Sequence, residues 1–203
     1  MKLFLASANA HKAAELQALA DATALPVEIV SARAVGGMPA VVEDTGTFVG
    51  NARKKALALR ARLPADAWAL SDDSGLCVDA LDGGPGVESA YYAGPAGDFA
   101  ANLQKLTVVM RDVPAARRGA HFVCVLLVRG PAEAEQVFEG RADGRLLRAP
   151  CGGAGFGYDP LFVPAGHERT FAEMSEAEKN KLSHRARAWL KLAEWVRGRA
   201  RYP

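Results

Sequence analysis

An α/β fold is the expectation for this chain, and three observations carry it. Apolar runs of strand length recur from the N-terminus onward. Most are followed by stretches with apolar residues at helical spacing, and Gly, Pro, Asn and Asp gather at the joints. No internal repeat or low-complexity segment interrupts the alternation.

Residues 3–6 read as a first buried strand, and the polar stretch Ser7-Ala8-Asn9-Ala10-His11-Lys12 leads into a helix with Ala14, Leu16, Leu19 and Ala20 on its apolar face. A loop ending at a helix N-terminus offers free backbone N–H groups to an anion, and Ser7, Asn9 and Lys12 add donors. The glycines of a P-loop are missing, so on its own the pattern is that of a capped helix. Residues 27–32 read as a second strand. A Gly/Pro-rich loop then reaches Glu43-Asp44-Thr45-Gly46, ahead of a helix over residues 47–62 that places Phe48, Ala52, Leu59 and Leu63 inward and Lys54, Lys55, Arg60 and Arg62 largely in solvent. Thr47 is positioned to cap that helix.

Ser71-Asp72-Asp73-Ser74-Gly75 lies between two short apolar runs, residues 67–70 and 76–78. Asp, Ser and Gly are turn formers, so the stretch by itself reads as a turn joining two strands; the alternative is that the adjacent carboxylates hold a hard divalent cation through oxygen. Asp79 and the glycine-rich loop 82–94 follow. Asp98 can cap a helix to residue 110 over Phe99, Leu103, Leu106 and Val109, and residues 122–128 form a continuous apolar run, a central strand. Residues 136–139 and 145–147 read as a hairpin around Asp143-Gly144. In the loop 152–160, Phe156 and Tyr158 sit between glycines and out of register with any periodic run, which favours a base-stacking wall over a core. Ser175 and Glu178 have capping-box spacing, and Ser183 can cap a last helix with Trp189, Leu190, Ala193 and Val196 inward. Lys179, Lys181, His184 and Arg185 gather at that helix junction.

With 203 residues, half of them hydrophobic, the chain can bury a full core as a single domain over residues 1–203 or as two closely packed lobes. A net charge of +2 argues for a small-molecule partner rather than a nucleic acid. Cys77, Cys124 and Cys151 lack metal-ligand spacing and read as free thiols of a reducing compartment. The N-terminal apolar run breaks at Asn9, His11 and Lys12, too early for a signal peptide, and no segment is apolar for long enough to span a membrane, so a cytoplasmic protein is expected.

An anion-binding loop, two acidic clusters, an aromatic glycine loop and a cationic junction together make an inventory for a nucleotide with its phosphates and Mg²⁺. Ser7-x-Asn9-x-x-Lys12, Glu43 with Thr47-Phe48-x-x-Asn51-Ala52-x-x-Lys55-Ala56, Ser71-Asp72-Asp73-Ser74-Gly75, Gly84-Pro85-Gly86, the loop from Gly155 to Pro160, and Glu178-Lys179-Asn180 with Ser183-His184-Arg185 resemble, in order, the signature blocks of the inosine triphosphate pyrophosphatase family. The resemblance covers nearly the whole chain. It implies a long central mixed sheet flanked by helices, two lobes around a nucleotide-binding cleft, a homodimer, and Mg²⁺-dependent hydrolysis of deaminated purine triphosphates (ITP, dITP, XTP) to monophosphate and pyrophosphate, with Mn²⁺ able to replace Mg²⁺. Carried onto this sequence, it implies that Ser7, Ala8, Asn9, Ala10, His11 and Lys12 hold phosphate. Glu43 and Asp73 hold the metal, and Asp73 also accepts the proton of the attacking water. Lys55 and Ser74 line the triphosphate site, Phe156, Gly157, Tyr158 and Asp159 orient the nucleoside, Lys179 contacts the nucleotide, His184 and Arg185 read the base, and Asp72 supports from behind the metal ligands.

Three positions depart from the family pattern: Ala8 and His11 where glycine is frequent, and Tyr91 where an arginine commonly follows Ser-Ala. They bear on how closely the first loop approaches phosphate and on the charge available to substrate or dimer. A house-cleaning pyrophosphatase for another modified nucleotide and a non-catalytic nucleotide-binding regulator are the alternatives; intact Glu43, Asp72 and Asp73 weigh against the regulator.

Overall fold

The structure, a computed structural model, describes residues 1–201, with side chains described through residue 199. It is a mixed α/β fold with helices flanking a six-stranded sheet. The strands are β1 (Lys2–Leu5), β2 (Glu28–Ser31), β3 (Trp68–Val78), β4 (Gly119–Arg129), β5 (Glu135–Leu146) and β6 (Phe162–Pro164), in the sheet order β2-β1-β3-β4-β5-β6. The helices are α1 (Ala10–Ala22), α2 (Phe48–Arg60), α3 (Phe99–Val109), α4 (Glu176–Leu182) and α5 (His184–Arg201). β1 runs parallel to both neighbours, placing Leu3, Phe4 and Leu5 against Trp68, Ala69 and Leu70, whereas β5 and β6 are antiparallel. Parallel strands joined through α1 and α2 and an antiparallel edge make the sheet mixed.

The chain falls into two compact units, one of Met1–Asp73, Cys124–Gly140 and Arg185–Pro203, the other of Ser74–Val123 and Arg141–His184. In the first unit, Leu3, Leu5 and Leu70 point to one face of the sheet, where Leu16 and Leu19 of α1 and Trp189, Leu192 and Ala193 of α5 close over them. The intervening residue Ala69 faces the other way, onto Ala6, Ala32, Leu59 and Leu63. This is the two-residue alternation of a strand, and it sorts everything that follows on β3. The second unit packs Leu76, Val78, Leu106, Phe122, Phe162 and Phe171 together with Tyr158.

Sequence expectation and structure differ at several points. Residues 71–75 are not a turn: β3 runs unbroken through them, and Ser71, Asp72 and Asp73 are all buried. Strand backbone is retained because both carboxylates find cations, so neither must turn out to water. Asp143-Gly144 is not a hairpin turn either, since neither residue has the positive φ such a turn demands and β5 is continuous through them. Gly144 is required for another reason. A Cβ there would lie 2.2 Å from the Val163 carbonyl oxygen and 2.7 Å from the Phe162 ring, so β6 can pair only with a bare α-carbon. Lys55 is buried rather than solvated, and Leu190 is 51% exposed, because the inward stripe of α5 runs 189, 192, 193, 196. On α3 the buried residues are Asn102 and Leu106, while Phe99 and Val109 stay exposed. The capping box at Ser175 and Glu178 and the caps at Thr47 and Asp98 form as expected. The three cysteines are thiols outside any disulfide, and among the described residues no helix is long and apolar enough to cross a membrane.

The close β5–β6 approach makes a direct prediction. Gly144→Ala should lower stability by about 1–3 kcal/mol through overpacking, read as a reduced urea midpoint at unchanged slope. An unaltered midpoint would contradict the approach.

Candidate active site

Adjacent residues on a strand project to opposite faces, so β3 sends Asp72 and Asp73 into two different surroundings. Asp72 lies on the α1/α5 side. Its Oδ1 accepts from Lys12 Nζ at 2.6 Å and its Oδ2 from Arg185 Nε at 2.7 Å, with the Cys124 thiol 3.6 Å from the same oxygen. Arg185 Nη1 donates to Glu15 of α1. All of this is inside: Asp72 is 1% exposed and Arg185 2%. Burial by itself would raise the Asp72 pKa, but Arg185 and Lys12 hold it well below the usual carboxylate range, and Asp72 and Glu15 in turn hold Arg185 charged. Asp72 is therefore a permanent anion.

Asp73 lies on the α2 side. Lys55 Nζ donates to Asp73 Oδ1 at 2.5 Å, to Glu43 Oε2 at 2.9 Å and to the Asp72 carbonyl oxygen at 3.1 Å, so one ammonium draws two carboxylates together. Asp73 Oδ2 is buried without a hydrogen-bond partner. Burial pushes the Asp73 pKa up to about 6 despite the Lys55 charge. Glu43 goes the other way: burial opposes it, but the charge and hydrogen bond of Lys55 keep its pKa below the ordinary value. The two carboxylates share one cation, and the more deeply buried one takes up a proton first. An acceptor near neutrality, with one oxygen anchored by Lys55 and the Glu43 carboxylate placed to accept from it once protonated, has the properties of a general base.

The first loop leads to this group. Ser7 Oγ accepts from the Asn9 backbone N–H at 3.1 Å, and Asn9 Oδ1 caps α1 by accepting from His11 N at 2.9 Å and Lys12 N at 3.4 Å. Lys12 then reaches both Asp72 Oδ1 and, at 3.2 Å, the Asp72 carbonyl oxygen. Ala8, Ala10 and His11 are exposed, and Ser74, the residue after Asp73, is half-buried.

The second unit assembles the other predicted residues. Asp159 Oδ2 accepts from the Phe156 backbone N–H at 2.9 Å and from Lys179 Nζ at 2.7 Å, and all but a few per cent of both side chains is buried. The turn needs Gly155, at φ +74°, because a Cβ there would sit 2.2 Å from Asp159 Oδ2. The same Lys179 ammonium lies 5.1 Å from the Phe156 ring centroid, and Phe156 meets Phe99 at 5.6 Å. Tyr158 is a core residue whose hydroxyl donates to the Ser89 carbonyl oxygen at 2.8 Å. Gly157 takes φ +63° in the same turn. His184 stacks on Phe122, with centroids 4.7 Å apart and planes 11° off parallel.

Two residues on these networks escaped the sequence reading. Glu15 falls on the apolar stripe of α1 next to Leu16 and Leu19, and a carboxylate at a core position is a signal of a buried cation. Asn51 belongs to a motif block but carried no role; it is fully buried on α2, one turn before Lys55.

Comparison with known proteins identifies the family. The profile of the Ham1 family matches residues 3–195. A curated relative from Opitutus terrae, named dITP/XTP pyrophosphatase, is 67% identical over 201 residues, covering 97% of this chain and 99% of its own. A solved HAM1 protein from Coxiella burnetii superimposes with a TM-score of 0.85 at 34% identity, covering 98% of this chain and 99% of that one. A nucleoside-triphosphatase / dITP/XTP pyrophosphatase from Mycobacterium abscessus does so with a TM-score of 0.75 at 42% identity over 95% and 97% of the two chains. With a family profile spanning nearly its whole length and relatives this similar across theirs, the chain belongs to the Ham1 family.

Proposed function

We propose that this chain hydrolyses deaminated purine nucleoside triphosphates, ITP, dITP and XTP, to the monophosphate and pyrophosphate. The observation that carries the chemistry is the pair Glu43 and Asp73 drawn together by buried Lys55, with Asp73 Oδ2 buried and reached by no donor and the Asp73 pKa near neutrality. The substrate class follows the names of relatives such as the Opitutus terrae protein.

The donor set fits Mg²⁺. Two carboxylates, one with an orphaned buried oxygen, are the hard anionic ligands that Mg²⁺ accepts alongside waters and substrate phosphates. Glu43 and Asp73 would hold it, and when bound it would neutralise charge on the phosphate oxygens. The chain's own residues do the rest. Asp73 takes a proton from the attacking water while Lys55 fixes its Oδ1. Lys55 and Lys12 place positive charge where a triphosphate needs it, with Ser7, Asn9 and Ser74 as further donors. Asp72 and Glu15 keep Arg185 charged and oriented. Phe156, backed by Phe99 and Lys179, gives the nucleoside a stacking wall. His184 and Arg185 donate to the 6-keto oxygen of the base, a donor pair that the amino group of adenine would leave unpaired, at about 1–3 kcal/mol per group. The reading includes a cytoplasmic homodimer, the assembly being checked by sedimentation velocity.

Against a panel of triphosphates, ITP, dITP and XTP should exceed ATP and GTP in kcat/KM, with pyrophosphate as product. Equal rates for ATP, or release of single phosphates, would refute the substrate class.

Activity should require Mg²⁺, tolerate Mn²⁺ and vanish in EDTA. Full turnover without a divalent ion would remove Glu43 and Asp73 from their metal role.

Asp73→Asn should lower turnover by at least about a hundredfold, whereas exposed Asp79→Asn should be mild. Without divalent ion, burial raises the Asp73 pKa to about 6, so in the metal-free protein its carboxyl carbon, followed by NMR, should titrate in that region. Losses of the same size in the two variants, or an Asp73 carboxyl that stays ionised through that region, would misplace the base.

A further inference from the structure

Glu43 lies in a stretch without regular secondary structure ahead of α2, and it has to be held next to Asp73 for the two carboxylates to act together. α2 does the holding. At its first turn, Asn51 Oδ1 accepts from both the backbone N–H of Thr45, at 3.2 Å, and its hydroxyl, at 2.8 Å. Three residues on, Lys54 reaches the Val42 carbonyl oxygen at 3.2 Å and the Asp44 carboxylate; one residue further, Lys55 reaches Glu43 itself. Positions 51, 54 and 55 share a helix face, so the stretch 42–45 is gripped on both sides of Glu43. Gly50 allows the close approach: a Cβ there would stand 2.3 Å from Thr45 Oγ1 and 2.8 Å from Thr47 Oγ1.

Of these grips only Asn51 is fully inside. The Lys54–Asp44 pair is 42% and 60% exposed, and a solvated pair of that kind contributes little. Asn51 also keeps its place at a cost, because its Nδ2 is buried with no hydrogen-bond partner. A position selected for packing would not keep an unpaired donor.

We propose that Asn51 is a positioning residue for the reaction: its buried side chain straps the turn at Thr45 onto α2 and so keeps Glu43 beside Asp73 in a geometry that takes the metal. The inference rests on the metal-dependent reading above. Residues that orient a metal ligand typically change metal affinity about ten- to a hundredfold when lost.

The test compares wild type with Asn51→Ala, Thr45→Val and Thr45→Ser. Mn²⁺ binding is followed by electron paramagnetic resonance with an inosine triphosphate analogue whose α–β bridge is methylene, and backbone hydrogen exchange of residues 43–47 is followed without metal. Asn51→Ala should raise the Mn²⁺ Kd about tenfold and speed exchange at Asp44 and Thr45, while kcat at saturating Mn²⁺ stays within a few-fold of wild type. Thr45→Val, at an exposed position, should move both readouts in the same direction, and Thr45→Ser, which keeps the hydroxyl, should restore them. Wild-type Mn²⁺ affinity and exchange in both Asn51→Ala and Thr45→Val overturn the inference alone, as does a loss of kcat that saturating Mn²⁺ does not recover. A wild type that neither binds nor needs Mn²⁺ overturns the metal reading and the inference with it.

Discussion

The neighbouring carboxylates of β3 set the constraint on which the first unit depends. A strand must send Asp72 and Asp73 to opposite faces, and both are inside, so each face has to supply its own cations. Lys12 and Arg185 answer on one side, and Lys55 answers on the other. Removing one member of such a set leaves a buried charge uncompensated, which typically costs about 3–5 kcal/mol. The placement of α1, α2 and α5 around β3 is thus tied to electrostatics as well as to the leucines beneath them.

The two faces resolve the same problem differently. Asp72 meets two cations, Lys12 and the Arg185 it shares with Glu15, and stays ionised well below the ordinary carboxylate range. Asp73 shares one ammonium with Glu43, and burial prevails, lifting its pKa toward neutrality. Two chemically identical side chains, one residue apart, become a fixed structural anion and a group poised to exchange a proton. In the second unit the pairing of Asp159 with Lys179 does comparable work: one carboxylate oxygen ties down the Phe156 backbone and the ammonium that lies near its ring.

The errors of the sequence reading share a cause. Residues 71–75 and Asp143-Gly144 are of types that prefer turns, yet both lie within strands. Local preference is a matter of about 1 kcal/mol, and it lost to contacts with residues far along the chain: cations at positions 12, 55 and 185 in the first case, and the close approach of β6 in the second. Charge favours solvent for Lys55 and apolarity favours the core for Leu190, but the partners that face them decide their burial, 8% exposed for the lysine and 51% for the leucine.

By itself the sequence determined the α/β class, most of the strands and helices with their caps at Thr47, Asp98 and Ser175, and the charged residues that the structure pairs, Lys12, Glu43, Lys55, Asp72, Asp73, Asp159, Lys179 and Arg185. These are consequences of local periodicity, of short-range hydrogen bonding and of motif blocks whose spacing survives without coordinates. Only the tertiary structure decided that Asp72 and Asp73 have opposite surroundings, that Lys55 joins Glu43 to Asp73, and that Glu15 and Asn51 belong to the two networks. The reason is physical. A pKa, an ion pair or a strapped loop depends on desolvation and on distances between groups far apart in the chain, and neither is a property of any one stretch of sequence.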